Sequence, residues 1–306
     1  MNRFIWLIRR EIWENKAIWV APLIVLACLA LFTVTGNVHL GPIGSIEATT
    51  PFGEFPQDMQ IRLLTIVYAG LALVMDMVMG TIALFYALDS LYADRRDRSV
   101  LFWKSLPLSD LETVLSKFAV ATIVIPLVSL AAAVLAQLVV AAGGSAKLAM
   151  TGMSAGVMWQ PQAIFSGIVI AFLWCITAML WYAPVVGYLM LASAWAPKGP
   201  FLWAVLPPVA IWVLERVLLY SEHAGDFITG RLFGLYRLLG QRSDSADVAS
   251  SEAGAELSKL SKLSNLDMVG SLKEFYSSPD LWLGVVAAGL LLAAAMWVRR
   301  YRDETS

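Results

Sequence analysis

Apolar positions divide the chain into six long runs separated by polar connectors, with one amphipathic stretch ahead of them. In residues 1–19, Phe4, Leu7, Ile8 and Ile12 alternate at helical spacing with Arg3, Arg9, Arg10 and Glu14. This predicts a helix lying in a membrane interface, with Trp6 and Trp13 at headgroup depth. A cleavable leader fits less well, because the charged part is long and no small-residue cleavage site precedes the next polar stretch. Apolar runs near 20–35, 63–88, 118–142, 163–194, 201–220 and 281–298 are read as six spanning helices. Pro22 falls in the opening turn of the first, where a missing N–H does no harm. Pro126 is expected to kink the third unless neighbours satisfy the freed carbonyl, and Pro184 to divide the fourth, which is longer than one straight crossing needs. Pro207 and Pro208 should disturb the fifth.

The connectors set the orientation. Residues 36–60 contain Gly41, Pro42, Gly44, Pro51, Gly53 and Pro56, are acidic at Glu47, Glu54 and Asp58, and hold neither Lys nor Arg, which reads as an outer loop. A second outer connector covers 143–161, with Lys147 its only basic residue. Arg95, Arg96, Arg98 and Lys104 follow the second run, Lys198 sits in the short turn at 196–200, and Arg299, Arg300 and Arg302 follow the sixth. The positive-inside rule puts all of these, and both termini, in the cytoplasm. The largest hydrophilic piece, 221–278, is then outside. Within it Leu232, Leu235, Tyr236 and Leu239 predict an amphipathic helix resting on the outer membrane face, 243–251 is a polar linker, and Leu257, Leu260, Leu263 and Leu266 predict one short helix. Tyr276 and Trp282 at one end of the last run, and Trp297 and Tyr301 at the other, form an aromatic belt.

Composition agrees with this layout. Hydrophobic residues make up 59% of the chain and charged residues 15%, and the mean hydropathy is +0.70, well outside the soluble range. The expected fold class is all-α, a polytopic membrane protein forming a single domain over 1–306. A net charge of −1 offers no basic footprint for nucleic acid. Cys28 and Cys175 lie in apolar runs and read as small buried hydrophobes, and His39 and His223 are too far apart in sequence to suggest a metal cluster. No nucleophile paired with a base stands at bilayer depth, which counts against an intramembrane enzyme. The phosphate-binding pattern Gly-x4-Gly-Lys-Ser/Thr is absent, so the chain is not expected to hydrolyse nucleotide by itself.

The segment 89–117, DSLYADRRDRSVLFWKSLPLSDLETVLSK, is the one long charge-rich stretch lying between two strongly apolar runs. Pro107 breaks the chain, and Ser109 stands three residues before Glu112, the spacing of a capping box. A short helix should start near Asp110, with Asp110 and Glu112 at the positive end of its dipole and Leu108, Leu111, Val114 and Leu115 on its apolar side. It is expected to lie across the membrane surface. Taken with the six-span layout, the interfacial N-terminal helix and the larger outer segment before the last span, this segment resembles its counterpart in the permease of an ATP-binding-cassette (ABC) transporter of the type 2 exporter class (ABC-2). The matching positions are Asp94 or Asp97, Ser99, Leu101 to Leu106, Pro107, Ser109 and Lys117, and Arg98 departs from the family by standing where Gly is frequent.

The resemblance implies that 89–117 couples the membrane domain to a separate cytoplasmic ATPase subunit, which would carry the ATP and Mg. The coupling residues would be Asp94, Arg95, Arg96, Arg98, Trp103, Leu106, Pro107, Ser109, Asp110, Glu112 and Lys117. It further implies a second permease chain, identical or different, a bacterial inner membrane and outward transport. The arginines also satisfy the positive-inside rule without any coupling role, and a membrane scaffold that recruits a partner without ATP-driven transport is the competing reading.

One charge lies near the middle of an apolar run, Asp76, between Met75 and Met77 in the second. An isolated carboxylate there costs roughly 2.5–3.5 kcal/mol on insertion scales, so it should face protein, water or a partner. It either lines a transport route or joins helices or chains by hydrogen bonding. Met75 and Met79 share a helical face and read as adaptable packing rather than a soft-metal site. Glu215 and Arg216, near an end of the fifth run, and Asp89 are expected to snorkel to an interface. Ala131 to Ala133 and Ala287 to Gly289 would let helices approach closely.

Overall fold

A computed structural model describes residues 3–35, 56–97, 109–150, 152, 154–221, 223–244, 273 and 275–302. Every regular element among them is a helix. Helix α1 (Arg3–Glu14) meets α2 (Ala17–Thr35) at a bend of 51°. Helix α3 is Gln57–Arg96, α4 is Asp110–Met150, α5 is Pro161–Trp195 after a 3-10 turn at Ala155–Trp159, α6 is Pro200–Leu214 continued by a π-helical turn at Glu215–Leu219, α7 is His223–Asp244 and α8 is Pro279–Arg302. Five helices are long and apolar enough to cross a membrane, and a sixth crossing is reached by counting α1 and α2 as one bent element. The loop at 36–55, the segment 98–108 with Arg98, Trp103, Leu106 and Pro107, the leucine repeat at 257–266 and the side chains of Tyr236 and Leu239 lie outside the described residues.

The helices overrun their apolar segments. Helix α3 is 40 residues long, about 60 Å at the α-helical rise, starting straight after Pro56 and ending at Asp97. Asp58 in its first turn and Arg95 and Arg96 in its last complement the dipole, so polar residues at both ends extend the helix rather than stop it. Helix α4 continues through Gly143 and Gly144 to Met150, inside the connector expected at 143–161. The helix propensity lost at two glycines, about 1 kcal/mol each, is offset by packing against α2 and the 3-10 turn, where Trp159 Nε1 donates to Ser145 Oγ at 2.7 Å.

Proline does not divide these helices. A π-helical turn, Val120–Val124, comes directly before Pro126 and supplies the extra residue that lets the chain pass it. The Cys175 thiol donates to the Pro126 carbonyl at 3.4 Å. Pro184 lies inside an uninterrupted α5, and Pro207 and Pro208 inside α6.

Helix α5 is the axis of the bundle, packed along its length against α3 on one side and α8 on the other. Ala72, Met75, Ala132, Ala133, Ala136 and Ala171 form a small-residue layer between α3, α4 and α5, and Met79 is buried in the adjoining core. Ala288 packs at Gly187, while Ala131 and Gly289 face outward. Cys175 is buried, but Cys28 lies exposed on α2, away from the bundle interior.

Helix α7 does more than rest on a membrane face. Trp181 Nε1 donates to the Arg231 carbonyl at 2.9 Å, the Tyr182 hydroxyl donates to the Leu232 carbonyl at 3.0 Å, and the Arg231 guanidinium stacks 4.1 Å above the Trp181 ring. Burial lowers the Arg231 guanidinium from its ordinary pKa, with the Asp280 carboxylate opposing. Leu235 is fully buried among Trp174, Trp181, Phe275 and Leu281. Glu215 is held by protein groups. Its carboxylate accepts from Ser221 Oγ at 2.6 Å and from the backbone N–H groups of His223 at 3.0 Å and Ala224 at 2.6 Å, capping the start of α7 and fixing the reversal from α6.

The α3–α5 contact is tight at Gly167, where a β-carbon would stand 2.8 Å from Tyr68 Cβ on α3 and 3.1 Å from Gln137 Nε2 on α4. Gly167→Ala should force the helices apart and destabilise the fold by about 1–3 kcal/mol, the usual cost of overpacking. Thermal unfolding in detergent checks this, and an unchanged midpoint would contradict the tight approach.

Candidate functional site: a buried charge cluster

At one end of the bundle four helices each carry a charge where an apolar residue is due. On α3 the buried stripe Ala83, Tyr86, Ala87, Ser90 and Leu91 continues to Asp94. On α4 Val114 is followed by Lys117 and then Val120. On α1 Leu7 is followed one turn later by Glu11, and on α8 Ala288, Leu292 and Ala295 lead to Arg299. Helical periodicity therefore carries these side chains inward with the stripe they end.

They meet. Lys117 Nζ lies 3.0 Å from Glu11 Oε1 and 3.4 Å from Asp94 Oδ1. Arg299 Nη1 donates to Asp94 Oδ2 at 3.2 Å, and its Nε stands 3.4 Å from Asp110 Oδ1. The Tyr86 hydroxyl donates to Glu11 Oε2 at 2.8 Å. The side chains of Glu11, Asp94, Lys117 and Arg299 are 4–8% exposed, and Asp110 at the rim is 38% exposed. Three carboxylates against two cations give a formal charge of −1, and the hydroxyl of Tyr86 supplies a further donor. Buried charges of this kind cost several kcal/mol each to desolvate, so the arrangement holds only while every member keeps its partner.

The remaining residues of the charged segment have separate tasks. Arg95 Nη2 donates to the carbonyls of Ser193 at 2.6 Å and Ala196 at 2.9 Å, placing a cation on the C-terminal end of α5. Ser193 Oγ accepts from the backbone N–H groups of Leu91 and Tyr92, tying the same helix ends together. Arg96 faces solvent, 3.0 Å from Asp97 and 3.7 Å from Asp89, an exposed pairing of little stabilising value. Ser109 and Glu112 form the expected capping box, with Glu112 N–H donating to Ser109 Oγ at 3.1 Å and Ser109 N–H donating to Glu112 Oε2 at 3.0 Å. The helix they start is not a separate surface helix. Val120 keeps α-helical angles, φ −62° and ψ −48°, and nothing after Lys117 ends the helix, so the cap opens the 41-residue α4.

Asp76 stands apart, about 27 Å along α3 from Asp94 at 1.5 Å per residue. It is half-buried, and Trp174 Nε1 of α5 donates to its Oδ2 at 3.0 Å. Glu11 and Arg299 were not among the residues expected at the coupling segment. Each sits far from it in sequence, and the available signal was a charge occupying the next slot of an apolar stripe. Among the described residues, no three or more His, Cys, Asp or Glu side chains are arranged to hold a metal ion.

These elements define a helical membrane protein with a polar, ion-paired end. Comparison with protein-family models, curated proteins and solved structures finds no match to the chain.

The cluster's charge balance makes a directional prediction. Lys117→Met leaves Glu11 and Asp94 facing each other without their shared cation and should cost about 3–5 kcal/mol. Glu11→Gln brings the formal charge from −1 to 0 and should cost less. Thermal unfolding of both variants in one detergent tests the order, and a larger loss for Glu11→Gln would refute the balance described.

Proposed function

We propose that the chain is the permease subunit of an ABC exporter of the type 2 class, working with a second permease chain and driven by a separate ATPase that docks on the segment between Asp97 and Ser109. The observation that carries this reading is the buried cluster. Asp94 stands shortly before that segment and Asp110 and Lys117 shortly after it, and all three are anchored in one ion-paired unit. A push on the segment is therefore received by α3 and α4 together, each about 60 Å long. Both run the length of the bundle against α5. Small-residue layers and few breaks make them stiff, and stiffness is what a transmitting element needs.

The topology that goes with this function has six crossings, with both termini and the charged end in the cytoplasm of a bacterium and α1 in the membrane interface. Support for the last comes from α1 itself: Ile5, Trp6 and Trp13 are exposed, and Arg9 stacks 5.1 Å from the Trp13 ring, the amphipathic outer face of a headgroup-depth helix. ATP and Mg belong to the partner, whose hydrolysis supplies the energy, and residues of this chain hold and transmit. Arg95 is committed to the end of α5, so contacts with acidic partner residues fall to Arg96 among the described arginines of the segment. Asp76, bonded to Trp174 across the α3–α5 contact, is the polar station of the route inside the bundle.

Replacing Leu106 to Ser109 with a Gly-Ser stretch should abolish permease-dependent stimulation of a co-purified ATPase while membrane insertion stays normal. Unchanged stimulation would sink the coupling role, and a scaffold would show partner binding with no stimulation in the native chain. Asp76→Asn should insert normally and alter transport in reconstituted vesicles, and identical rates across pH would remove Asp76 from the route.

A further inference from the structure

Two residues outside the charged segment hold its two flanks. Glu11 of α1 binds Lys117 and accepts from Tyr86, and Arg299 of α8 reaches both Asp94 on α3 and Asp110 on α4. The first contact joins α1 to α4 and α3. The second joins α8 to the same pair. Arg299 thus spans the helix that enters the segment and the helix that leaves it, as Glu11 does from the other side through Tyr86 and Lys117. The extended guanidinium does this with two different edges, Nη1 donating to Asp94 and Nε lying at ion-pair distance from Asp110, a span that a lysine ammonium at this position would have to cover from one atom.

We infer that Glu11 and Arg299 are positioning residues for coupling: they fix the spacing of the α3 and α4 ends and pass displacement of those ends to α1 and α8. The inference rests on the permease reading and adds residues that the segment alone does not indicate. Its chemistry is electrostatic and no bond is made or broken. Displacement of Lys117 draws on Glu11, so α1 follows α4 and the 51° bend between α1 and α2 is where that motion is taken up. Displacement of Asp94 or Asp110 draws on Arg299, so α8 follows, and α8 is in turn packed along α5. The charged groups facing this unit come from all four helices: Glu11 and the neighbouring Glu14 with its Arg10 partner on α1, Asp94 on α3, Asp110 and Lys117 on α4, and Arg299 on α8.

The test uses the full chain in nanodiscs with Glu11→Gln and Arg299→Lys. Glu11→Gln keeps the side-chain shape and brings the cluster to neutrality, and Arg299→Lys keeps the charge and loses the bridge. In a background with Cys28 and Cys175 replaced by alanine, spin labels at the exposed positions Trp13 and Trp297 report the α1–α8 distance without any partner. Both variants should broaden a narrow native distribution. With the ATPase subunit added, they should lower permease-dependent turnover about fivefold or more, the low end of typical coupling effects, while the affinity for the ATPase stays within about twofold of native. A merely structural role would move thermal stability without separating turnover from affinity. Native stimulation that both variants leave intact overturns this inference alone, as does an unchanged distance distribution. A native chain that stimulates no ATPase overturns the permease reading and this inference with it.

Discussion

The constraint from which the rest of the bundle follows is the desolvation of four charges at one end, with a fifth at their rim. Glu11, Asp94, Asp110, Lys117 and Arg299 come from four helices, and none of the four buried members has a tolerable place except beside the others. Hydrophobic packing alone would let helices slide by a turn at modest cost, because one apolar stripe fits another in several registers. Ion pairs at 3.0–3.4 Å do not allow it. The charges thus set the register of α1, α3, α4 and α8, and the apolar contacts fill the space that register defines. Such pairs need not stabilise the fold relative to an apolar alternative, and specifying one arrangement is the better-attested use of buried polar groups.

A second polar layer faces this one from the other end of α8. Arg299 belongs to the cluster, and Leu281, about 27 Å away along the helix, packs among Trp174, Trp181 and Leu235. There Trp181 receives the Arg231 guanidinium and holds α7, while Trp174 holds Asp76. Between the two layers α8 contacts α5 through Ala288 at Gly187, and its outward positions Leu283, Val286 and Leu290 are exposed. Helix α6 goes further, with Ala204 its one buried residue and apolar side chains all round. In water so much exposed apolar surface would be a liability, and in hydrocarbon it is the expected exterior. The two layers lie about 27 Å apart along α8, and the apolar run of α8 fills the interval between them.

Local signals in the sequence were readable where the physics is local. The capping box at Ser109 and Glu112, the six apolar runs and the packing of Met75 and Met79 depend on residues a few positions apart. Helix ends were read less well, because apolarity marks where a helix can meet lipid and says little about where it stops: α3 gains its extra turns from Pro56, Asp58 and the arginines at its end. Pro126 was expected to kink its helix unless neighbours satisfied the freed carbonyl, and the π turn just before it lies in backbone geometry that no residue type announces. Arg299 was read only as a cytoplasmic cation after the last run and Glu11 was not singled out, since their partners are distant in the chain. Only the stripe they terminate gives them away. Glu215 was hidden for the same reason, its partners being the N–H groups of a helix that begins eight residues later.

The pairing pattern also bears on how force could enter such a molecule. Exposed arginines make weak, salt-screened contacts, and Arg96 beside Asp89 and Asp97 is already half-compensated, so arginines alone would give a partner little purchase. A partner that displaces the ends of α3 and α4 acts instead on groups whose separation is costly. Interaction energy in a buried pair falls steeply with small displacements, and packed helices respond by moving as units rather than bending. Among the described residues near the charged end, the backbone departs from straight α-helix at the bend between α1 and α2, at the turn Ala196–Gly199, where Gly199 adopts φ 60°, and at the π turn Val120–Val124. On the permease reading proposed above, motion entering at the cluster is taken up at these breaks, while α3, α4 and α5 carry the remainder along the bundle toward Asp76 and Trp174.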